Sequence, residues 1–231
     1  MMKLIKSVTI VLVLFNMASA VAQSFDLKDI DAKLNQIHDD DQQIRAKWRD
    51  AFQQNLPTMQ SIVSEMHAVD SVNQKYVSML LDDHGWPDNL SEKANEAIFL
   101  VIDHASNSFS EKYFHLVREK GEQGILPMSS VATLEDRILM RTSKPQKYGT
   151  QSIGLLFTYT MPSGDTKVEN NFYIWPNEDN EKVDELRTAV GLPPMDQYLQ
   201  ELEDSVKGKV IWDKNLTIDD LKAKYPMLFS K

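Results

Sequence analysis

Residues 26–54 read DLKDIDAKLNQIHDDDQQIRAKWRDAFQQ, and the spacing of the apolar residues in this stretch decides the fold. These residues advance in alternating steps of three and four, which places them on one face of a helix. The positions on that face are Leu27, Ile30, Leu34, Ile37, Asp41, Ile44, Trp48 and Ala51. Asp41 is the charged member of the set, so the pattern predicts a long helix with a carboxylate at a core position.

A second helix of the same kind is predicted over residues 57–82, opened by a proline, which suits a first helical turn. Its apolar stripe is interrupted by Asp70 and Asn73. The link between the helices is only residues 55–56, and so short a link makes them antiparallel neighbours. Because Asp41 and Asp70 lie at nearly equal distances from that link, we expect them to meet.

Three shorter helices are predicted downstream of this pair. Ser91 caps the third helix, and Ser108 with Glu111 has the spacing of a capping box that opens the fourth. A fifth helix begins near Ser130. His104 falls on the apolar face of the third helix, so we expect its side chain to be buried.

A β-hairpin is predicted at about residues 151–175, where apolar residues alternate on both sides of a Pro-Ser-Gly-Asp turn. Because a lone two-stranded ribbon is marginal, this hairpin must pack against helices. Asn177 is predicted to cap an acidic helix with Leu186 facing inward, and two further helices follow, from Met195 and from Thr217. The predicted fold class is therefore mainly α: a long antiparallel helix pair, shorter helices and one β-hairpin.

The first 22 residues are predicted to be a secretory signal peptide. Lys3 and Lys6 precede an apolar run and then small residues, which is the layout of a cleavable signal. The run is shorter than the roughly 20 residues of a membrane span. We therefore expect a periplasmic or secreted protein with no membrane span after signal removal. Residues 23–207 are predicted as a single mostly helical domain, and residues 208–231 as a C-terminal extension ending in a short helix.

Composition argues against several classes of protein. The sequence has no cysteine, so we expect neither a disulfide framework nor a lipid anchor. The formal net charge of -9 becomes -11 when the two lysines of the signal are removed, and no basic stripe remains, which argues against nucleic acid as a partner. Compact metal-ligand motifs, phosphate loops and nucleophile elbows are missing, so neither a metal nor a cofactor is expected.

Four segments, taken in order, resemble a bacterial domain family of unknown function. They are His84-Gly85-Trp86-Pro87, Asp136-Arg137, Gln146-Lys147-Tyr148-Gly149-Thr150-Gln151 and Asp184-x-x-Arg187-x-x-x-Gly191-Leu192-Pro193. The resemblance covers roughly residues 27–199 and includes Asp41 with Arg45 and Asp70 with Asn73. These segments taken together are specific to that family, although each segment alone is weak evidence for it. No activity is established for that family, so the resemblance implies no substrate.

The carboxylates of the helix pair have two interpretations. Asp41 and Asp70 can act as paired carboxylates, because mutual repulsion raises one pKa and supplies an acid and a base near neutral pH. Alternatively, Arg45 neutralises Asp41 from one helical turn away, with Asn73 completing a satisfied network.

The histidines also have two interpretations each. His104 is either a general base or a structural residue whose ring nitrogens are satisfied within the core. His84 lies on a turn that leads into a helix start, where free backbone donors can receive an anion and Trp86 can wall a pocket. The alternative is that Trp86 plugs the core while His84 caps the preceding helix.

The polar residues downstream supply possible partners for this cluster. Asp136 and Arg137 can bridge the helices to the following loop, or they can form a buried ion pair. Neutral hydrogen-bond donors and acceptors come from Gln146, Tyr148 and Gln151. They either bind a polar ligand or hold the loop in place.

We therefore expect an exported soluble protein that binds a polar small molecule or a protein partner. The predicted ligand-binding residues are Asp41, Arg45, Asp70, Asn73, His84, Trp86, His104, Asp136, Arg137, Gln146, Tyr148 and Gln151. The first alternative is a hydrolase-like enzyme in which Asp70 or His104 takes a proton and Asp41 tunes the base. In that enzyme Arg137 and Gln151 steady the developing negative charge. The second alternative is a purely structural polar network.

Overall fold

The computed structural model describes residues 26–54, 56–161, 166–206 and 208–229. Within those ranges the fold is mainly α, as predicted. The helices are α1 (Leu27–Gln53), α2 (Met59–His84), α3 (Glu92–His104), α4 (Asn107–Glu122), α5 (Met128–Arg141), α6 (Val183–Ala189), α7 (Met195–Val206) and α8 (Ile218–Lys224). The strands are β1 (Ser152–Thr160), β2 (Thr166–Ile174) and β3 (Lys209–Ile211), and a 3-10 turn spans Pro226–Leu228. The predicted signal peptide lies outside the described residues.

The first two helices form the predicted antiparallel pair. α1 packs against both α2 and α3. Across the pair, Lys47 lies 2.9 Å from Glu65, and Arg45 lies 2.9 Å from Asp70. The lower-numbered residue of α1 therefore pairs with the higher-numbered residue of α2, so the two helices run antiparallel.

The main core fills only one end of this pair. Its buried members from the two helices are Ile30, Leu34, Ile37, Val77, Leu80 and Leu81. Helices α3, α4 and α5 supply the rest of that cluster. Asp41 and Asn73 are buried where this cluster ends, and the stretch of α2 before Asp70 is at most half-buried. The polar positions thus mark the end of the main cluster, beyond which α1 still buries Ile44 and Ala51 while α2 opens to solvent.

One predicted helix start is wrong in detail. Helix α4 begins at Asn107, so Ser108 lies inside its first turn and is not the residue that precedes the helix. The capping position belongs to Ser106, whose side chain makes no capping hydrogen bond. A capping box needs the serine outside the helix, which is why Ser108 and Glu111 do not form one.

Three other residues also take roles different from those predicted. Pro57 lies in the turn before α2 rather than in its first helical turn. Asn177 caps no helix, because it forms an isolated parallel bridge with Gln146 well before α6 begins. Leu186 is 36% exposed instead of facing inward, since the next residue, Arg187, takes the buried position on that short helix.

The predicted hairpin is present, and a third strand extends it. β1 and β2 pair antiparallel along their lengths, while β3 pairs parallel to β2 with Phe172 opposite Val210. β3 lies beyond residue 207, in the segment predicted as an extension, and its three residues are too few for a period-two pattern. Ile174 and Val210 pack with Val183 and Met195 in a second apolar cluster, so the hairpin is supported by α6 and α7.

The last helix begins as the sequence predicts. Thr217 accepts a hydrogen bond from the backbone of Asp220, and the Asp220 carboxylate accepts one in return, which completes a capping box. None of the helices in the described ranges combines the length and apolar character that a membrane crossing requires.

Candidate functional site

A cleft of about 440 Å³ lies where the helix pair opens, against the C-terminal ends of α3 and α5. The residues that line it are Arg45, Trp48, Arg49, Met66, His67, Asp70, His104, Arg137 and Arg141. Four arginines in one cleft contrast with a chain whose formal net charge is -9. The cleft therefore concentrates positively charged side chains on an acidic protein, together with the carboxylate of Asp70.

Arg45 joins the two aspartates of the helix pair. Its Nη1 lies 3.0 Å from Asp41 Oδ1, and its Nη2 lies 2.9 Å from Asp70 Oδ1. The expected meeting of Asp41 and Asp70 thus takes the form of two carboxylates on one guanidinium, whose planar fork suits this arrangement. Asn73 is buried one turn after Asp70, and among the described residues its Nδ2 has no hydrogen-bond partner.

His104 is also tied to Asp41. Its Nδ1 lies 3.0 Å from Asp41 Oδ1, and its Nε2 lies 3.8 Å from Asp103 Oδ2. The side chain is 21% exposed rather than buried as predicted, because His104 ends α3 at the rim of the cleft instead of facing the core. A carboxylate on one ring nitrogen fixes the orientation of an imidazole. Asp41 therefore positions both a guanidinium and an imidazole at the same place.

Asp41 is held as a charged group despite its burial. Burial raises the pKa of Asp41, but the hydrogen bond and charge of His104, the charge of Arg45 and the hydrogen bond from Gln42 outweigh it. The net result is a pKa below the ordinary value of 3.8. The carboxylate is consequently ionised at neutral pH and stabilises the positive groups around it.

This lowered pKa predicts an acid-dependent loss of stability. Above the unfolded-state pKa, near 3.8, the contribution of Asp41 to folding is fully present. As pH falls through the lower folded-state pKa, the contribution is lost, because the unfolded chain binds the proton more readily than the folded one. We expect the Tm of Asp41→Asn to fall less between about pH 5 and pH 2.5 than that of the parent protein. Parallel Tm curves for the two proteins would contradict this assignment.

A second pair of arginines comes from α5. Arg137 donates from Nε to Asp103 Oδ1 at 2.8 Å, and its two terminal nitrogens have no partner among the described residues. Arg141 donates from Nη1 to the carbonyl of Ala105 at 2.7 Å, and no carboxylate of the described chain pairs with it. Burial of the guanidinium, and then the like charge of Arg137, lower the pKa of Arg141. Arginine nonetheless stays charged in proteins, so both side chains present positive charge to the cleft.

The four arginines repeat one spacing. Arg45 and Arg49 are four residues apart on α1, and so are Arg137 and Arg141 on α5. Like charges at this spacing destabilise a helix. Arg49 is exposed, and no ion pair to it is formed within the described ranges. Carboxylates neutralise one member of each pair, Arg45 and Arg137, so Arg49 and Arg141 are the members whose charge has no carboxylate partner in the described residues.

Asp136 belongs to a separate network behind the cleft. Its fully buried carboxylate accepts hydrogen bonds from the backbone N–H groups of Lys147, Tyr148 and Thr150 and from the Thr150 hydroxyl. Burial raises the pKa of Asp136, and these bonds offset only part of that effect. Asp136 therefore bridges α5 to the following loop, and it does not line the cleft.

The side chains of the two glutamines in that loop also form their hydrogen bonds within the protein. Gln146 donates to the carbonyls of Gln151 and Trp175 and accepts from the Gln151 N–H. Gln151 donates to the Thr150 hydroxyl at 3.1 Å, and the Tyr148 hydroxyl lies 3.5 Å from Glu135. Neither glutamine lines the cleft, so the structure does not bring Gln151 to the position where an enzyme would need it.

His84 and Trp86 lie away from the cleft as well. Trp86 is buried in the main core and donates from Nε1 to Asn95 Oδ1 at 2.8 Å. His84 is exposed at the end of α2. About 20 Å of helix separates it from Asp70. Of the predicted binding residues, the structure brings together Asp41, Arg45, Asp70, Asn73, His104 and Arg137.

Sequence reasoning does not identify five residues of the cleft wall. They are Trp48, Arg49, Met66, His67 and Arg141. The usable signal is the repeated arginine spacing, because like charges one helical turn apart are unfavourable within an isolated helix. Within the described residues, no group of three or more acidic or histidine side chains is arranged to hold a metal ion.

Comparison with known proteins places this site within a shared domain. A family model described as a family of unknown function matches residues 28–211, which confirms the resemblance seen in the sequence. The matched range runs from α1 through β3 and contains every residue that lines the cleft. Searches of curated proteins and of solved structures give no match.

Proposed function

Because the chain belongs to this family of unknown function, DUF6624, we propose its function from the cleft: the protein binds a polar ligand that carries an anionic group. The observation that carries the proposal is the convergence of four arginines from two helices on one cleft. Arg49 and Arg141 have no ion-pair partner in the described part of the chain. Guanidinium groups with free donors bind carboxylates and phosphates in two-point geometry.

The arginines divide into two roles. Arg45 has both ends of its guanidinium on carboxylates, so it holds the site together and positions Asp70. Arg137 uses only its Nε on Asp103, which leaves its terminal nitrogens for a ligand. Together with Arg49 and Arg141 it supplies the free donors that an anion requires.

The other walls suggest what accompanies the anionic group. Trp48 and Met66 provide apolar surface next to the arginines. Asp70, whose side chain is 16% exposed, offers a carboxylate that favours a ligand with a hydrogen-bond donor beside its negative charge. We also propose that this ligand is met outside the cytoplasm, because the N-terminal residues have the layout of a secretory signal.

A purely structural network explains only part of the polar cluster. The loop after α5 is held by hydrogen bonds of Asp136, Gln146 and Gln151, and that role needs no ligand. The same account gives no role to Arg49, which is exposed and makes no ion pair within the described residues, and it leaves Arg141 with only the carbonyl of Ala105 as an acceptor.

Titration calorimetry with inorganic phosphate tests the proposal. We expect Arg141→Gln and Arg49→Gln each to weaken phosphate binding about tenfold, because each removes a charge-assisted hydrogen bond. We expect the affinity of the parent protein to fall as salt rises, since a charged cleft is screened.

Arg118→Gln is the matched control, because Arg118 lies on α4 over the ring of Phe114 and not in the cleft. It should bind phosphate as the parent protein does. Equal loss in all three variants would mean that only the overall charge matters, and no binding by the parent protein would overturn the proposal.

A hydrolase-like enzyme is the second candidate function, and the Asp41–His104 pair favours it. A carboxylate 3.0 Å from one ring nitrogen is the arrangement that orients a histidine as a general base. Turnover of p-nitrophenyl phosphate that disappears in His104→Gln would support this candidate. Binding of phosphate without turnover would support the binding protein alone.

A further inference from the structure

We infer that the ligand of this cleft is an amphiphilic anion, with its carboxylate or phosphate head among the arginines and an alkyl tail in an adjoining apolar groove. The inference rests on the proposed function, which supplies the charged head. The groove and its continuity with the cleft supply the tail.

The groove is a separate depression of about 160 Å³ between α1, β2 and α7. Its apolar walls are Trp48, Phe52, Phe172 and Val206. Trp48 and Arg49 line both the groove and the cleft, so the two cavities meet at these residues. The two cavities are thus adjacent, and a ligand that occupies both passes over these two residues.

Two aromatic side chains of α1, Trp48 and Phe52, line the groove, and Trp48 also lines the cleft. The rings of Trp48 and Phe52 stack with centroids 5.3 Å apart and planes 15° apart. The two residues are one helical turn apart, as are Arg45 and Arg49, so one side of α1 carries charge and the next carries a flat apolar face. This arrangement matches a molecule with one charged end and one apolar end.

The apolar walls of the groove are exposed to solvent, which favours binding of an apolar group there. Phe52 is 39% exposed, and Phe172 and Val206 are only half-buried. Contiguous exposed apolar surface beside polar groups marks ligand grooves and interfaces, because covering it releases the cost of its hydration. Charge complementarity at Arg49 selects an occupant with a negative group at its cleft end, which an alkyl phosphate or a fatty acid provides.

Calorimetry on the mature chain with three probes tests the inference: inorganic phosphate, octyl phosphate below its micellar concentration, and 1-octanol. Burial of about three methylenes gives on the order of a fiftyfold gain in affinity, so octyl phosphate should bind about fiftyfold more tightly than phosphate. Decanoate should also bind, because a carboxylate shares the chemistry of the head. Octanol should bind far more weakly than octyl phosphate, since it has no charge for the arginines.

Phe52→Gln should reduce the advantage of octyl phosphate at least fivefold and leave phosphate binding unchanged. Met79→Gln is the matched control, because Met79 is 52% exposed on α2 and lines neither cavity.

Equal affinity for octyl phosphate and phosphate would overturn the inference and leave the proposed function standing. Failure of all anionic probes would remove the proposed function itself. A change in oligomeric state of Phe52→Gln without a change in affinity would assign the groove to a second copy of the chain and also overturn the inference.

Discussion

Asp136→Ala is expected to lower the free energy of unfolding by about 4 kcal/mol, because it orphans several buried donors that each cost roughly 1–3 kcal/mol when unsatisfied. The side chain of Asp136 is fully buried. Its two oxygens accept from the backbone of Lys147, Tyr148 and Thr150 and from the Thr150 hydroxyl. Alanine supplies no acceptor in its place, so the loop between α5 and β1 should lose its order in the variant.

Urea unfolding followed by circular dichroism measures this effect, and Glu135→Ala is the matched control. Glu135 is the preceding residue on α5, and its ion pair with Lys147 lies in a partly exposed position, with side chains 24% and 41% exposed. A pair of that kind contributes about 1 kcal/mol or less. Similar losses in the two variants would show that Asp136 does not anchor the loop.

Arg45→Met is expected to destabilise the protein by about 3 kcal/mol, because breaking a buried ion pair from one side leaves an uncompensated charge. Asp41 is 1% exposed and would keep no arginine, only its contacts with His104 and Gln42. Asp70 would lose its guanidinium as well. Methionine preserves the apolar stem and the helix propensity of arginine, so the loss should report the charge.

Arg49→Met is the matched control, one helical turn away and without an ion pair in the described structure. It should change stability by no more than about 0.5 kcal/mol. The double variant Arg45→Met, Asp41→Leu should recover much of the loss, because removing both members of a buried pair is often near neutral. A double variant that is as unstable as the sum of its single variants would mean that Asp41 and Arg45 do not interact.

Much of the helical architecture was predictable from local pattern. The apolar spacing of α1 and the start of α8 at Thr217 depend on one or two turns of chain, and both are as predicted. The capping box at Ser108 is wrong because Asn107 already belongs to the helix. Such one-residue differences depend on how α4 packs, which the local sequence does not state.

The site was predictable in part. Asp41 and Asp70 interrupt apolar stripes, and a buried carboxylate needs a partner, so their convergence with Arg45 followed from the sequence. Gln151 and Asp136 were grouped with them, yet they hold a loop instead, because their acceptors and donors are satisfied by nearby backbone. A residue type reveals the bonds it can make but not which neighbours will make them.

The sequence by itself determined that the chain is mainly helical, which faces of the long helix pair are apolar and where carboxylates break those faces. These features depend on a period of about 3.6 residues along one chain. Only the tertiary structure decided that the arginine pairs of α1 and α5 share one cleft, that Trp48 joins it to a groove, and that β3 adds to the hairpin. These contacts join residues far apart in sequence. They depend on how helices cross and where the core ends, and no local period encodes either.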